Sequence, residues 1–239
     1  MRVSGSLLFI GWVAGCAQGV PAAGEGGDRP DAAAGAPDGA EPGTPDAPPG
    51  TVVDAGSPDA NPGPITLSQT TSAEITTGAY VCQNGSRNHF DNSYYRAFEL
   101  GKHGVTGAFA VTKVAFGVFA ARGGTQKADV RLHKLTGGTP SRRNLTQLGT
   151  TQIEIPTTSK SMIEVPIAAE VPAGSTLVVE LALPNTLWTH GFDLGANTDA
   201  ESAPGYWMSE YCSEPEMVAF GSGGLPRASI VLTVTGTPR

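Results

Sequence analysis

"STLVVELAL" (175–183) places Leu177, Val179, Leu181 and Leu183 on one side of an extended chain and Val178, Glu180 and Ala182 on the other. A period of two marks a β-strand, because successive side chains point to opposite faces. The same rhythm recurs on either side of this stretch. "VTKVAFGVFAA" (111–121) aligns Val114, Phe116 and Val118; "KADVRLHKL" (127–135) sets Val130 and Leu132 against Asp129, Arg131 and His133; "ASIVLTVTG" (228–236) aligns Ile230, Leu232 and Val234. Further strands are predicted at 65–70, 73–81, 94–100, 146–154, 161–167 and 205–211. Turn clusters separate them, among them Arg122-Gly123-Gly124-Thr125, Pro172-Ala173-Gly174 and Gly221-Ser222-Gly223-Gly224. No eleven-residue window carries the i, i+3, i+4, i+7 stripe of an amphipathic helix. About ten short strands between turns predict an all-β fold, an antiparallel β-sandwich of jelly-roll or Greek-key type.

The strand pattern starts at Ile65. Residues 17–64 are almost wholly Ala, Gly, Pro and Asp, without Phe, Tyr, Trp, Leu, Ile or Met. Such a segment buries too little apolar surface to offset the entropy of ordering, so 16–64 is predicted to be a disordered tether. It holds eight acids against Arg29, a net charge of −7 that equals that of the whole chain, so residues 65–239 are nearly neutral, with 13 basic and 14 acidic side chains. That balance, with no basic cluster beyond Arg142-Arg143, argues against a nucleic-acid partner. An acidic tether repels itself and an anionic membrane surface, which suits a stalk. At the N-terminus, Arg2 and the apolar run Leu7–Val13 have the layout of a signal peptide and are far short of the ~20 residues that span a bilayer. Val13-Ala14-Gly15-Cys16 resembles a bacterial lipobox. The resemblance implies cleavage after residue 15, lipid attachment at Cys16 and a membrane anchor, and Ala17 in place of Asp favours the outer membrane or cell surface. The expected organisation is therefore a leader (1–15), a tether (16–64) and one β-sandwich domain (65–239).

Setting Cys16 aside leaves Cys82 and Cys212, which are expected to pair in an exported protein. On the chain-entropy model, closing so long a loop stabilises by about 5 kcal/mol.

"CQNGSRNHFDNSYYRAFEL" (82–100), "VPAGSTLVVEL" (171–181) and "YWMSEYCSEPEMVAFG" (206–221), together with 111–135, resemble an uncharacterised β-sandwich module of secreted and surface-anchored bacterial proteins. In that module an early and a late cysteine frame the domain, often as an accessory beside peptidases or adhesin-like repeats. The resemblance covers nearly all of 65–239 and implies no established chemistry; an accessory role would be served alone or through a partner.

Catalytic signatures are missing from the sequence: there is no G-x-S-x-G, H-E-x-x-H or P-loop, and His89, His103, His133 and His190 lack metal-ligand spacing. The expected protein is not an enzyme, with no cofactor unless calcium. For calcium, "DLGANTDAE" gathers Asp193, Asn197, Asp199 and Glu201, and "NHFDNS" gathers Asn88, Asp91 and Asn92, oxygen-rich sets of the kind calcium binds. The alternative is that these side chains make turns with their own backbone. Aromatic rings beside polar groups suit the apolar face of a sugar. Trp188 and Trp207, with Tyr206 and Tyr94, are the candidate platform, and core packing is the alternative. The expected function is a non-catalytic binding or adhesion module with a glycan or extracellular protein as ligand. A structural or accessory subunit of an envelope complex is the second reading, and a hydrolase whose triad assembles only in space is the third.

Overall fold

In a computed structural model, which describes residues 63–187 and 189–239, the alternating stretches pair into two antiparallel sheets. The leader, Cys16, the tether up to residue 62 and Trp188 lie outside the described residues. One sheet has the order β1 (Ile65–Leu67), β13 (Leu232–Pro238), β4 (Phe109–Arg122), β9 (Gly191–Asn197) and β12 (Ser229–Ile230); β2 (Thr77–Gly78) pairs with β9, and β7 (Thr158–Val171) pairs with β4. The other has the order β11 (Glu214–Ala219), β10 (Gly205–Ser209), β3 (Asn92–Glu99), β8 (Thr176–Leu183), β5 (Gln126–Leu135) and β6 (Leu145–Ile155). No α-helix occurs among the described residues; short 3-10 turns at Leu100–His103 and Arg142–Asn144 interrupt the loops. From β3 to β12 the chain crosses between sheets at every connection except the β5–β6 and β10–β11 hairpins. The fold is the predicted all-β sandwich.

The predicted inward faces form its core. Val114, Phe116 and Val118 of one sheet and Leu177, Val179, Leu181, Val130 and Leu132 of the other are buried in a single cluster with Ile230, Leu232 and Val234. Burying these apolar faces against each other is the main stabilising term.

Four elements differ from the sequence reading, the first being the strand predicted at 73–81, which shortens to the two residues of β2. Of residues 193–201, expected to form an oxygen-rich loop, 193–197 belong to the buried strand β9. Its Asp, Gly and Asn disguise it, but it is hydrogen-bonded to β4, β12 and β2. The stretch 214–219, with Pro215, is the edge strand β11, a position where a missing N–H does little harm. The predicted strand at 228–236 is broken at Val231, which accepts from Gly117 N (2.8 Å) and donates to Gly195 O (2.9 Å) as the chain moves from the edge of β9 to that of β4. A Cβ on Gly195 would lie 2.8 Å from the Gly117 carbonyl carbon, so this crossing requires glycine.

Candidate functional site

The structure corrects the aromatic platform first. Trp207 is 1% exposed and Tyr94 is fully buried, so neither offers a face to a ligand. The reason is parity. Inward-pointing positions on β3 and β10 pair Tyr94 with Trp207, and both join the core. Trp207 Nε1 donates to Asn92 Oδ1 (2.8 Å) and the Tyr94 hydroxyl donates to the Tyr80 carbonyl (3.1 Å). Burial pushes the Tyr94 phenol well above its ordinary value, with the Asp193 charge adding to the shift. Tyr206 faces the other way and stays half-buried, lining a groove on the outer face of the β11–β6 sheet with Ala97, Leu135 and Thr176.

Among the described residues, the most accessible aromatic rings belong instead to Tyr211, 52% exposed, and Tyr80, 40% exposed. Both flank the disulfide Cys82–Cys212, which forms as predicted, with Cα atoms 5.9 Å apart. Tyr211 stacks on Phe90 with ring centroids 3.7 Å apart and planes 13° off parallel, so Phe90 covers one face of a ring that is half exposed. Tyr80 meets Trp207 edge to face at 4.8 Å.

Side-chain hydrogen bonds fix the backbone beneath these rings. The Asp91 carboxylate accepts from Glu210 N (2.8 Å), Tyr211 N (3.0 Å) and the Ser209 hydroxyl (3.3 Å), which caps the turn after β10. Asn92, itself buried, accepts from Cys82 N (2.7 Å) and donates to the carbonyls of Cys82 and Phe90, each at 3.1 Å. Asn84 Oδ1 accepts from Ser86 N and Asn88 N, an Asx-turn. Asp91 and Asn92 of the "NHFDNS" segment thus spend their polar groups on the protein's own chain. A tyrosine has only two soft torsions, so one held by a stacked ring, a cap and a disulfide presents contact area at little further entropic cost. Tyr80 and Tyr211 carry no sequence signature of exposure: Tyr80 falls in a stretch read as a strand, and it is the disulfide that ties its segment to that of Tyr211.

The acidic group is dispersed. Asp193 is buried on β9 and pairs with Arg122 (2.6 Å). Asn197, also buried, donates to the carbonyls of Ser72 and Glu74 (3.1 Å each). Glu201 bonds the fully buried Arg96 (3.0 Å), which also donates to Gln69, Ala203 O and Ile230 O. Asn197, Asp199 and Glu201 line a common cleft, together with Arg227, and Asp193 does not. The four residues therefore do not converge as ligands of one ion, because strand pairing sends Asp193 and Asn197 into the interior. Among the described residues, no group of three or more His, Cys, Asp or Glu side chains gathers as a metal site. Burial raises the Glu201 carboxyl above its ordinary range, against the opposing pull of Arg96.

A second buried polar centre lies on the outer face of the β11–β6 sheet. Glu180 accepts from His133 Nε2 (2.9 Å), the Tyr95 hydroxyl (3.0 Å), the Ser93 hydroxyl (3.2 Å) and Arg131 Nη1 (3.3 Å). Burial works to raise the Glu180 carboxyl, but His133 and Arg131 outweigh it and hold the group below its ordinary value. Beside this centre, Tyr95, Val178 and Met208 form a small apolar cluster with Leu135, Leu145 and Met217 at its rim. All four donors aim at one carboxylate, so the arrangement fixes the sheet face rather than presenting a free acid or base.

No family model and no curated protein matches the chain. Among solved structures, the chain is similar to the clostridial cysteine protease Cwp84 after propeptide cleavage, at 11% identity and TM-score 0.50, over 74% of this chain and 40% of that one. It is also similar to the structure of the cysteine protease and lectin-like domains of Cwp84, a surface layer associated protein of Clostridium difficile, at 14% identity and TM-score 0.44, over 64% and 33%. The likeness is one of fold, and this chain spans between a third and two fifths of the length of those proteins.

Proposed function

We propose that the domain is a non-catalytic binding module of an exported, lipid-anchored envelope protein, and that Tyr80 and Tyr211 form its sugar-binding platform. The observation that carries this reading is the pair of exposed tyrosines held in place by buried rings, the Asp91 cap and the Cys82–Cys212 bond. A rigid ring with one open face suits the apolar face of a pyranose, and neighbouring polar side chains such as Glu210 and Ser213 supply groups for its hydroxyls. The disulfide supports an oxidising compartment. Cys16 and the acidic tether supply the anchor and the stalk in this reading. The test is a glycan array with the full chain, run with calcium and with chelator. Binding to a defined sugar class, weakened about tenfold by Tyr211→Ala or Tyr80→Ala at unchanged melting temperature, supports the platform. A blank array from folded protein overturns the glycan ligand.

A further inference from the structure

The loop between β9 and β10 walls a cleft of about 750 Å³, within the range of small-ligand sites. Asp199 and Glu201 stand on this wall, Arg227 stands on the segment preceding β12, and Phe220 and Ala228 supply buried apolar surface. The charges are unevenly committed. Glu201 is neutralised by Arg96, a guanidinium with no exposure of its own. The Asp199 carboxylate takes part in no hydrogen bond or ion pair among the described residues; only its backbone does, accepting from the Ser229 hydroxyl (2.7 Å) and donating to Asn197 Oδ1 (3.1 Å). The Arg227 guanidinium likewise forms no ion pair or hydrogen bond among the described residues, although it lies in the field of Glu201. A carboxylate and a guanidinium thus line one cleft without closing on each other. With Arg96 behind Glu201, the four charges sum to zero.

A purely cationic ligand would meet Arg227 and a purely anionic one would meet Asp199, whereas a neutral molecule with separated charges answers both. We propose that this cleft binds a small zwitterion, an amino acid or short peptide with both termini free, its ammonium group against Asp199 and its carboxylate against Arg227. The apolar floor at Phe220 and Ala228 accommodates the intervening backbone or a small side chain. The site shares no residue with the tyrosine platform, so the two stand or fall separately.

The test is calorimetric titration of the full chain at low salt with triglycine, N-acetyl-triglycine and triglycine amide. Free triglycine is expected to bind saturably, and each blocked form at least tenfold more weakly. Asp199→Asn should abolish the penalty for blocking the amine, and Arg227→Gln the penalty for blocking the carboxylate, both at wild-type melting temperature. Equal binding of free and blocked peptides overturns the proposal, as does no saturable binding from folded protein. If either variant fails to fold, the blocked peptides on the wild-type chain still decide.

Discussion

Replacing Trp207 by alanine separates a core role from a ligand role more sharply than any other single change. The indole is 1% exposed and belongs to the main core cluster. Its removal forfeits the transfer free energy of a large ring and leaves a cavity between close-packed sheets, which costs about 3–5 kcal/mol. In a domain of this size that is a fall of roughly 6–20 °C in melting temperature. The polar cost is smaller, because Asn92 Oδ1 loses the indole N–H (2.8 Å) but keeps the Cys82 N–H (2.7 Å). Trp207→Phe isolates that polar term together with a smaller loss of volume, and should cost about 1–2 kcal/mol. Urea unfolding followed by circular dichroism measures both. The expected result is a lower midpoint at unchanged slope, with alanine well below phenylalanine. If Trp207→Ala unfolded at the wild-type midpoint while glycan binding was lost, Trp207 would be a ligand-facing ring and its place in the core would be refuted.

Other expectations follow from the same contacts. The double change Cys82→Ser with Cys212→Ser opens a loop of 130 residues and should destabilise by about 5 kcal/mol on the chain-entropy model, measured as the shift in urea midpoint against the oxidised protein. Arg96→Met strips Glu201 of its buried partner and should cost about 3–5 kcal/mol; adding Glu201→Leu should recover part of that loss, and a double-mutant cycle reads the difference. Because Glu180 titrates below its ordinary value of 4.5 when folded, its contribution to stability is present above pH 4.5 and is lost as pH falls through the folded value. Glu180→Gln should therefore be less stable than wild type at neutral pH, with the difference narrowing under acid. A constant difference from pH 6 to pH 3 would contradict the assigned shift.

The fold was legible because burial imposes a period of two and the strands with clean alternation are the ones whose inner residues meet in the core. What misled was polarity at buried positions. Asp193 and Asn197 read as loop residues, yet each is buried on β9 because Arg122 and the backbone of 72–74 satisfy them. Both faces of β8 are buried, which a one-sided pattern did not predict, because Val178 packs with Tyr95 and Met208 on the outer face and Glu180 is saturated with donors there. The site was legible only in its chemistry. Exposed aromatics were expected, but strand parity decides which ring turns outward, and a one-residue change of register exchanges Trp207 for Tyr206. The segments of Tyr80 and Tyr211 are joined by a disulfide between positions 130 apart, so no local pattern announces the link.

Titrating one array-positive glycan into the wild-type chain, Tyr211→Phe and Tyr211→Ala tests whether the clamped tyrosine face binds sugar. Near-wild-type affinity is expected for phenylalanine, which keeps the ring and its stack on Phe90, and about a tenfold loss for alanine, worth about 1.4 kcal/mol, at equal melting temperature. Equal affinity for alanine and wild type would contradict it.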